Sequence, residues 1–135
     1  MAIKQAIRDI IINDATLSGL VGTRVSPRIS KTGDTLPRVC YLRTNTDVEY
    51  YMGGTSTLRF DSYNIIITGD SSDECDTISE RVKIVLESAL NETQDSTYIH
   101  RLYMESSNEG HYYPDGREKP IYEVIQNWKV SYQDG

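Results

Sequence analysis

The stretch Ser71-Ser72-Asp73-Glu74-Cys75-Asp76-Thr77-Ile78-Ser79-Glu80-Arg81-Val82-Lys83-Ile84-Val85-Leu86-Glu87-Ser88-Ala89-Leu90-Asn91 decides the fold. Ser71 and Glu74 stand at capping-box spacing, which marks a helix start. Asp73, Glu74 and Asp76 crowd the first turn, where the helix dipole favours negative charge. Cys75, Ile78, Val82, Val85, Leu86, Ala89 and Leu90 then recur at three- and four-residue steps, with charge between them. That period makes one apolar stripe on a helix ending near Asn91. A helix with one apolar face needs a surface to cover, and the segments on both sides of it read as strands. The surface is therefore a sheet.

Working toward the N-terminus, residues 57–68 read as a strand. Leu58 and Phe60 share one parity and Tyr63, Ile65 and Ile67 the other, which predicts a bulge near Asp61-Ser62. Residues 39–44 form the preceding strand. The polar run 45–56, with Gly53-Gly54, reads as a long hairpin connection. Residues 30–37 read as a loop, and residues 24–29 as a strand confined by Pro27 to an edge or a bulge. The chain opens on Ile3, Ala6, Ile7, Ile10 and Ile11, one face of a helix. Asp14 is placed to cap a short turn carrying Leu17, Leu20 and Val21, which Gly22 closes. Beyond the decisive helix, strands are predicted over 98–105 and 121–132, the latter with Tyr122, Val124, Trp128, Val130 and Tyr132 on one face. The polar stretch 106–120 between them reads as a loop. The expected fold is a single α+β domain over 1–135, an antiparallel sheet with two helices packed on one face.

Composition bounds the function. The net charge is −6 and the chain has no basic run, so sequence-independent binding to a duplex is not expected. No apolar run approaches the ~20 residues of a membrane-spanning helix, and the N-terminus lacks the apolar core of a signal peptide. The expected compartment of synthesis is therefore a cytoplasm. Cys40 and Cys75, the two cysteines, both fall in apolar patterns and read as buried, reduced thiols. Ten tyrosines stand against one Phe and one Trp. Tyrosine pairs an apolar body with a polar tip, which suits a half-exposed sheet and an interface alike.

No catalytic pattern emerges. His100 and His111 have no ligand-spaced partners for a metal. No GxSxG elbow is present, and Gly53-Gly54 is followed by Thr-Ser rather than by the Lys of a phosphate loop. Paired carboxylates remain open, since a chain with 20 acidic residues always contains some. No enzymatic activity, cofactor or metal is expected. What remains are the two long polar stretches with aromatics. Tyr50, Tyr51 and Met52 mark one, and Tyr112, Tyr113 and Asp115 the other. These six are the candidate contacts with other subunits or partners. The bland alternative folds them back onto their own domain.

Taken in order, these segments resemble the tail completion (tail terminator or neck) proteins of long-tailed bacteriophages and prophages. The run Asp14 to Val25 is similar to the family's D-x-x-L-x-x-L-V-G-x-R-V/I start. Leu36-Pro37-Arg38-Val39-Cys40-Tyr41 is similar to its L-P-x-V-x-Y strand, and residues 58–65 to its central strand. The stretch 65–70 is longer and more apolar than the family's, and alanine is scarcer. The resemblance implies a structural virion protein that caps the tail tube as a ring, hexameric by expectation, and joins it to the head connector. The implied partners are further copies of itself, the tail tube protein and a head-tail connector protein. DNA would pass through the ring without specific binding. Assembly in the host cytoplasm and a final place in the virion neck follow. Another neck component, such as a head completion protein, or a tail tube subunit is the near alternative. A small carboxylate enzyme or a monomeric adaptor is the distant one.

Overall fold

A computed structural model describes residues 2–22, 25–27, 37–51, 54–88, 92–94, 97–113 and 118–134. The elements run α1 (Ala2–Ile12), α2 (Ala15–Val21), β1 (Val25–Pro27), β2 (Arg38–Tyr51), β3 (Gly54–Gly69), α3 (Ser72–Glu87), β4 (Glu92–Gln94), β5 (Thr97–Tyr112) and β6 (Ile121–Asp134). The six strands make one sheet in the order β1-β2-β3-β6-β5-β4. The α+β class and the helices on one side of the sheet are as the sequence predicts. Two refinements follow. The turn after α1 is a third, seven-residue helix. The sheet is mixed rather than purely antiparallel, because β1 pairs parallel with β2 at one edge. Pro27 does lie on that edge strand, the place in a sheet where proline is tolerated.

The caps work as the sequence signals. Ser71 Oγ accepts from Glu74 N at 3.3 Å. Asp14 accepts from Leu17 N at 3.0 Å, and Gly22 ends α2 at φ 59°, a conformation that favours glycine. Arg81 on α3 also grips Asp14, at 2.7 and 3.0 Å, and so ties α2 to α3. Ser88 caps α3; residues 89–91, where the predicted helix end falls, lie outside the described residues.

One core fills the space between helices and sheet. α1 contributes Ile3, Ala6, Ile7 and Ile11, and α3 contributes Cys75, Ile78, Val82, Val85 and Leu86. The sheet answers with Tyr63, Ile65, Ile67, Val124, Trp128, Val130 and Tyr132 among others. The one buried side-chain amide among the described residues, that of Gln126, is satisfied on both ends. Gln126 donates to Ser79 O at 2.8 Å and accepts from Trp128 Nε1 at 2.9 Å, as burial demands.

Three sequence expectations need correction. Residues 45–51 and 54–56 are strand, not a hairpin connection: β2 runs on to Tyr51 and β3 starts at Gly54, with Tyr51 facing Gly54 across the ladder. Likewise 106–112 belong to β5, in register with β6 as far as Tyr112 opposite Ile121. Both stretches are polar, and residues 45–46 and 106–112 are exposed throughout, so the apolar alternation that marks a half-buried strand is missing. The bulge predicted in β3 lies on its neighbour. β3 pairs with β6 without interruption from Leu58–Gln133 to Gly69–Tyr122. The extra residue is Thr44 of β2, between the pairs Arg43–Tyr63 and Asn45–Ser62. Asp61 therefore continues the inward parity of Tyr63, Ile65 and Ile67, as a buried carboxylate.

Candidate interaction surface

The central strands β3 and β6 are paired on both sides over most of their length, whereas the flanking strands are not. β1 covers β2 only at Val39–Tyr41, and β4 covers β5 only at Thr97–Ile99. Among the described residues, β2 is thus open along its outer side from Leu42 to Tyr51, and β5 from His100 to Tyr112. An open strand presents a row of backbone donors and acceptors to any chain that fits. Both open strands carry bulges: Thr44 in β2, and His100 and Glu105 in β5. Bulges and charges on an edge discourage indiscriminate pairing.

The predicted contact residues fall at opposite ends of this sheet. Tyr50 and Tyr51 end β2, opposite Thr55 and Gly54, where the β2–β3 hairpin runs beyond the last residues of β6. Tyr112 ends β5, and Tyr113 follows it; both side chains are exposed, Tyr113 to 61%. Met52 and Asp115 lie outside the described residues. The tyrosine pairs are separated by about the length of the 16-residue β3, roughly 50 Å at strand rise, so the structure does not bring them together. Sequence reasoning found the aromatics but missed the open edges, whose signal is a strand-length run lacking a buried face.

On the helix side, the last third of β5 stands clear of α3 and leaves a groove of about 240 Å³, lined by Cys75, Asp76, Glu109, His111 and Tyr122. Cys75 and His111 share this groove, which raises the question of a thiol nucleophile. The electrostatics oppose it. Burial, reinforced by Glu74, Asp76 and other carboxylates, pushes the Cys75 thiol up to about 11. Its Sγ donates to Tyr122 O at 3.4 Å. A thiol held protonated is a poor nucleophile. His111 makes only ring contacts among the described residues, with Tyr113 and Tyr122 at about 6 Å. Among the described residues no cluster of three or more metal-ligating side chains occurs, and no helix is long and apolar enough to cross a membrane.

A second polar site lies under the helices near the projecting hairpin. Asp61 is buried, its carboxylate 3.7 Å from Arg43 Nη1 and without a hydrogen bond. The Tyr63 hydroxyl is also buried without a hydrogen-bond partner. Burial, and then the Asp61 charge, raise its pKa well above the ordinary phenol value.

No family model and no curated protein match this chain. Its fold is similar to that of solved structures. One is a chain of a particle described as the virion of a native gene transfer agent, with a TM-score of 0.72 and 14% sequence identity, covering 98% of this chain and 95% of that one. At that identity the likeness shows the fold, and it shows that the whole chain takes part in it.

Proposed function

We propose that this protein is a structural, non-enzymatic virion component of a long-tailed phage or prophage. In this reading it sits at the head–tail junction, caps the tail tube as a ring and joins it to the head connector. The observation that carries the reading is the end-to-end fold likeness to a chain of a gene transfer agent virion. It agrees with the independent resemblance of the ordered segments 14–25, 36–41 and 58–65 to tail completion proteins. The architecture is suited to the task. Among the described residues β2 and β5 are each covered over only part of their outer side, which would offer each subunit two different joining surfaces, as a closed head-to-tail ring needs. A net charge of −6 lets DNA pass a ring without sticking to it. Partners would be further copies of the chain, the tail tube protein and a head-tail connector protein. Assembly would take place in the host cytoplasm, before incorporation into the virion.

Electron microscopy of the purified protein, alone and with tail tubes, tests this reading. Rings seated on tube ends are expected. A protein that stays monomeric with tubes present would remove the terminator role. Incorporation along the tube length would favour the tail tube alternative instead.

A further inference from the structure

We infer that the uncovered stretch of β5 beside α3 receives the β1 flank of a second copy of this chain, whose spaced cations enter the acid-lined cleft there. This rests on the ring reading and specifies which surfaces meet in the ring. The two sides of the sheet are stepped in opposite senses. On the β2 side, β1 adds a strand at the level of Val39–Tyr41. Followed across the ladders, these rows run from Val39 through Ile67 and Val124 to Glu109, and from Tyr41 through Ile65 and Gln126 to Ser107. There the outer side of β5 is uncovered among the described residues. On the β5 side, β4 adds a strand at Thr97–Ile99. The row of Ile99 runs through Tyr132 and Arg59 to Val48, where β2 has no outer partner among the described residues. A neighbour related by rotation about an axis along the strands keeps these levels. Its projecting β1 then meets the uncovered Ser107–Glu109 of this copy, and this copy's β4 meets the uncovered end of the neighbour's β2. Projection meets recess at both levels, as a head-to-tail joint needs. β1 is parallel to β2, and β2 runs opposite to β5, so the incoming strand is antiparallel to β5, the commoner sense of pairing.

Charge selects the same flank. The groove at Cys75 continues between α3 and β5 into a second hollow of about 360 Å³, lined by Glu80, Lys83, Met104 and Ser107, and the two adjoin at Asp76 and Glu109. Asp76, Glu80, Glu109 and Glu123 line the joined cleft, and none of them makes an ion pair among the described residues. Lys83 on its wall is paired with Glu87 at 4.0 Å. The β1 flank carries what this cleft lacks. Arg24, Arg28, Lys31 and Arg38 are spaced over residues 24–38 with Asp34 alone against them, in a chain whose net charge is −6. That stretch leaves the sheet at Pro27 and rejoins it at Arg38, which shares its row with Thr68, Glu123 and Gly110. The cations are therefore rooted at the level of the cleft. Opposite charge across the joint favours this flank, whereas a two-fold joint through β5 would bring two acid-lined clefts together.

Charge reversal tests the joint. One variant carries Glu80→Lys and Glu109→Lys in the cleft, a second carries Arg28→Glu and Lys31→Glu, and a third carries all four changes. Glu80 and Glu109 are exposed, so reversal there leaves the core alone. Assembly with and without tail tubes is followed by sedimentation and electron microscopy. Each two-site variant is expected to weaken assembly about tenfold or more, and the four-site variant, with opposite signs restored, is expected to recover it. Thermal melting checks that each variant folds. Should one not fold, the unaltered protein decides. In rings assembled from isotope-labelled and unlabelled subunits, a carbodiimide that couples amines directly to carboxylates should link Lys31 of one copy to Asp76, Glu80 or Glu109 of another, as read by mass spectrometry.

Rings that form undiminished in both two-site variants, or that give no such link between copies, would overturn this joint while the ring reading stands. So would a four-site variant as impaired as the two-site ones. An effect of one reversal without the other also overturns it, and sensitivity of the cleft alone would mark a cationic segment of a different protein as its occupant. Absence of rings under every condition removes the ring reading, and this inference with it.

Discussion

Asp14 shows how much one side chain can organise. It caps α2 through Leu17 N and receives two hydrogen bonds from Arg81 of α3. The Arg81 hydrogen bonds hold its carboxyl below the ordinary carboxylate value. A folded-state pKa below the unfolded one contributes stability that is present above the unfolded value and lost as pH falls through the folded one. Asp14→Ala should therefore cost about 1 kcal/mol at neutral pH for the lost cap alone. The gap from the unaltered protein should close as acid protonates Asp14, which urea unfolding at neutral pH and at about pH 2 would measure. Cys75 gives a second prediction. With its thiol raised to about 11 and both cysteines buried, neither should react with a thiol reagent in the native protein. Both should react on unfolding in urea.

At the scale of elements, the β3–α3 junction is tightly drawn. A Cβ at Gly69 would stand 2.9 Å from Glu74 Oε1 and 3.0 Å from Cys75 Sγ. The Glu74 carboxylate can swing away, but Cys75 is fixed in the core. Gly69→Ala should lower the unfolding midpoint, by about 1 kcal/mol as overpacking. The pair between β2 and β3 is a larger dependency. Removing Arg43 takes away the ion-pair partner that the buried Asp61 carboxylate has among the described residues. Breaking such a pair costs about 3–5 kcal/mol, and the lower end applies because Arg43 keeps contact with solvent. Arg43→Ala should thus unfold at markedly lower urea, and Arg43→Ala with Asp61→Asn should recover part of the loss. The helices were the most legible elements in the sequence, since Ile3 to Ile11 and Cys75 to Leu86 repeat at helical period against one continuous core. Strand ends were the least legible, because Asn45 to Tyr51 and Ser106 to Tyr112 carry no apolar alternation, and Ser106 to Tyr112 are exposed throughout.

At the scale of the molecule, the two flanks of the sheet differ in strand direction and in the short strand that covers each. The tyrosines split accordingly: Tyr112 and Tyr113 extend the β5 end, and Tyr50 and Tyr51 lie on the projecting hairpin at the other. If both ends bear on partners, substitution by alanine at Tyr112 and Tyr113 and at Tyr50 and Tyr51 should impair different joining steps. In extracts that lack this protein, added variants should leave either tubes without rings or ringed tails without heads. Equal defects at one step from both pairs would mean that the two ends do not serve separate partners.

By itself the sequence determined the class of fold, the helix starts and the faces that build the core. These depend on local capping chemistry and on periodicities of 3.6 and 2, which are written along the chain. It also determined where the aromatics cluster. Only the tertiary structure decided that polar stretches 45–51 and 106–112 are strands, that Thr44 rather than Asp61-Ser62 carries the bulge, and that β1 joins in parallel. Those outcomes depend on which strand lies beside which, a relation between residues far apart in sequence. The open edges of β2 and β5 belong to the same category. Val39 and Glu109 share a level of the sheet only because β3 and β6 lie between them.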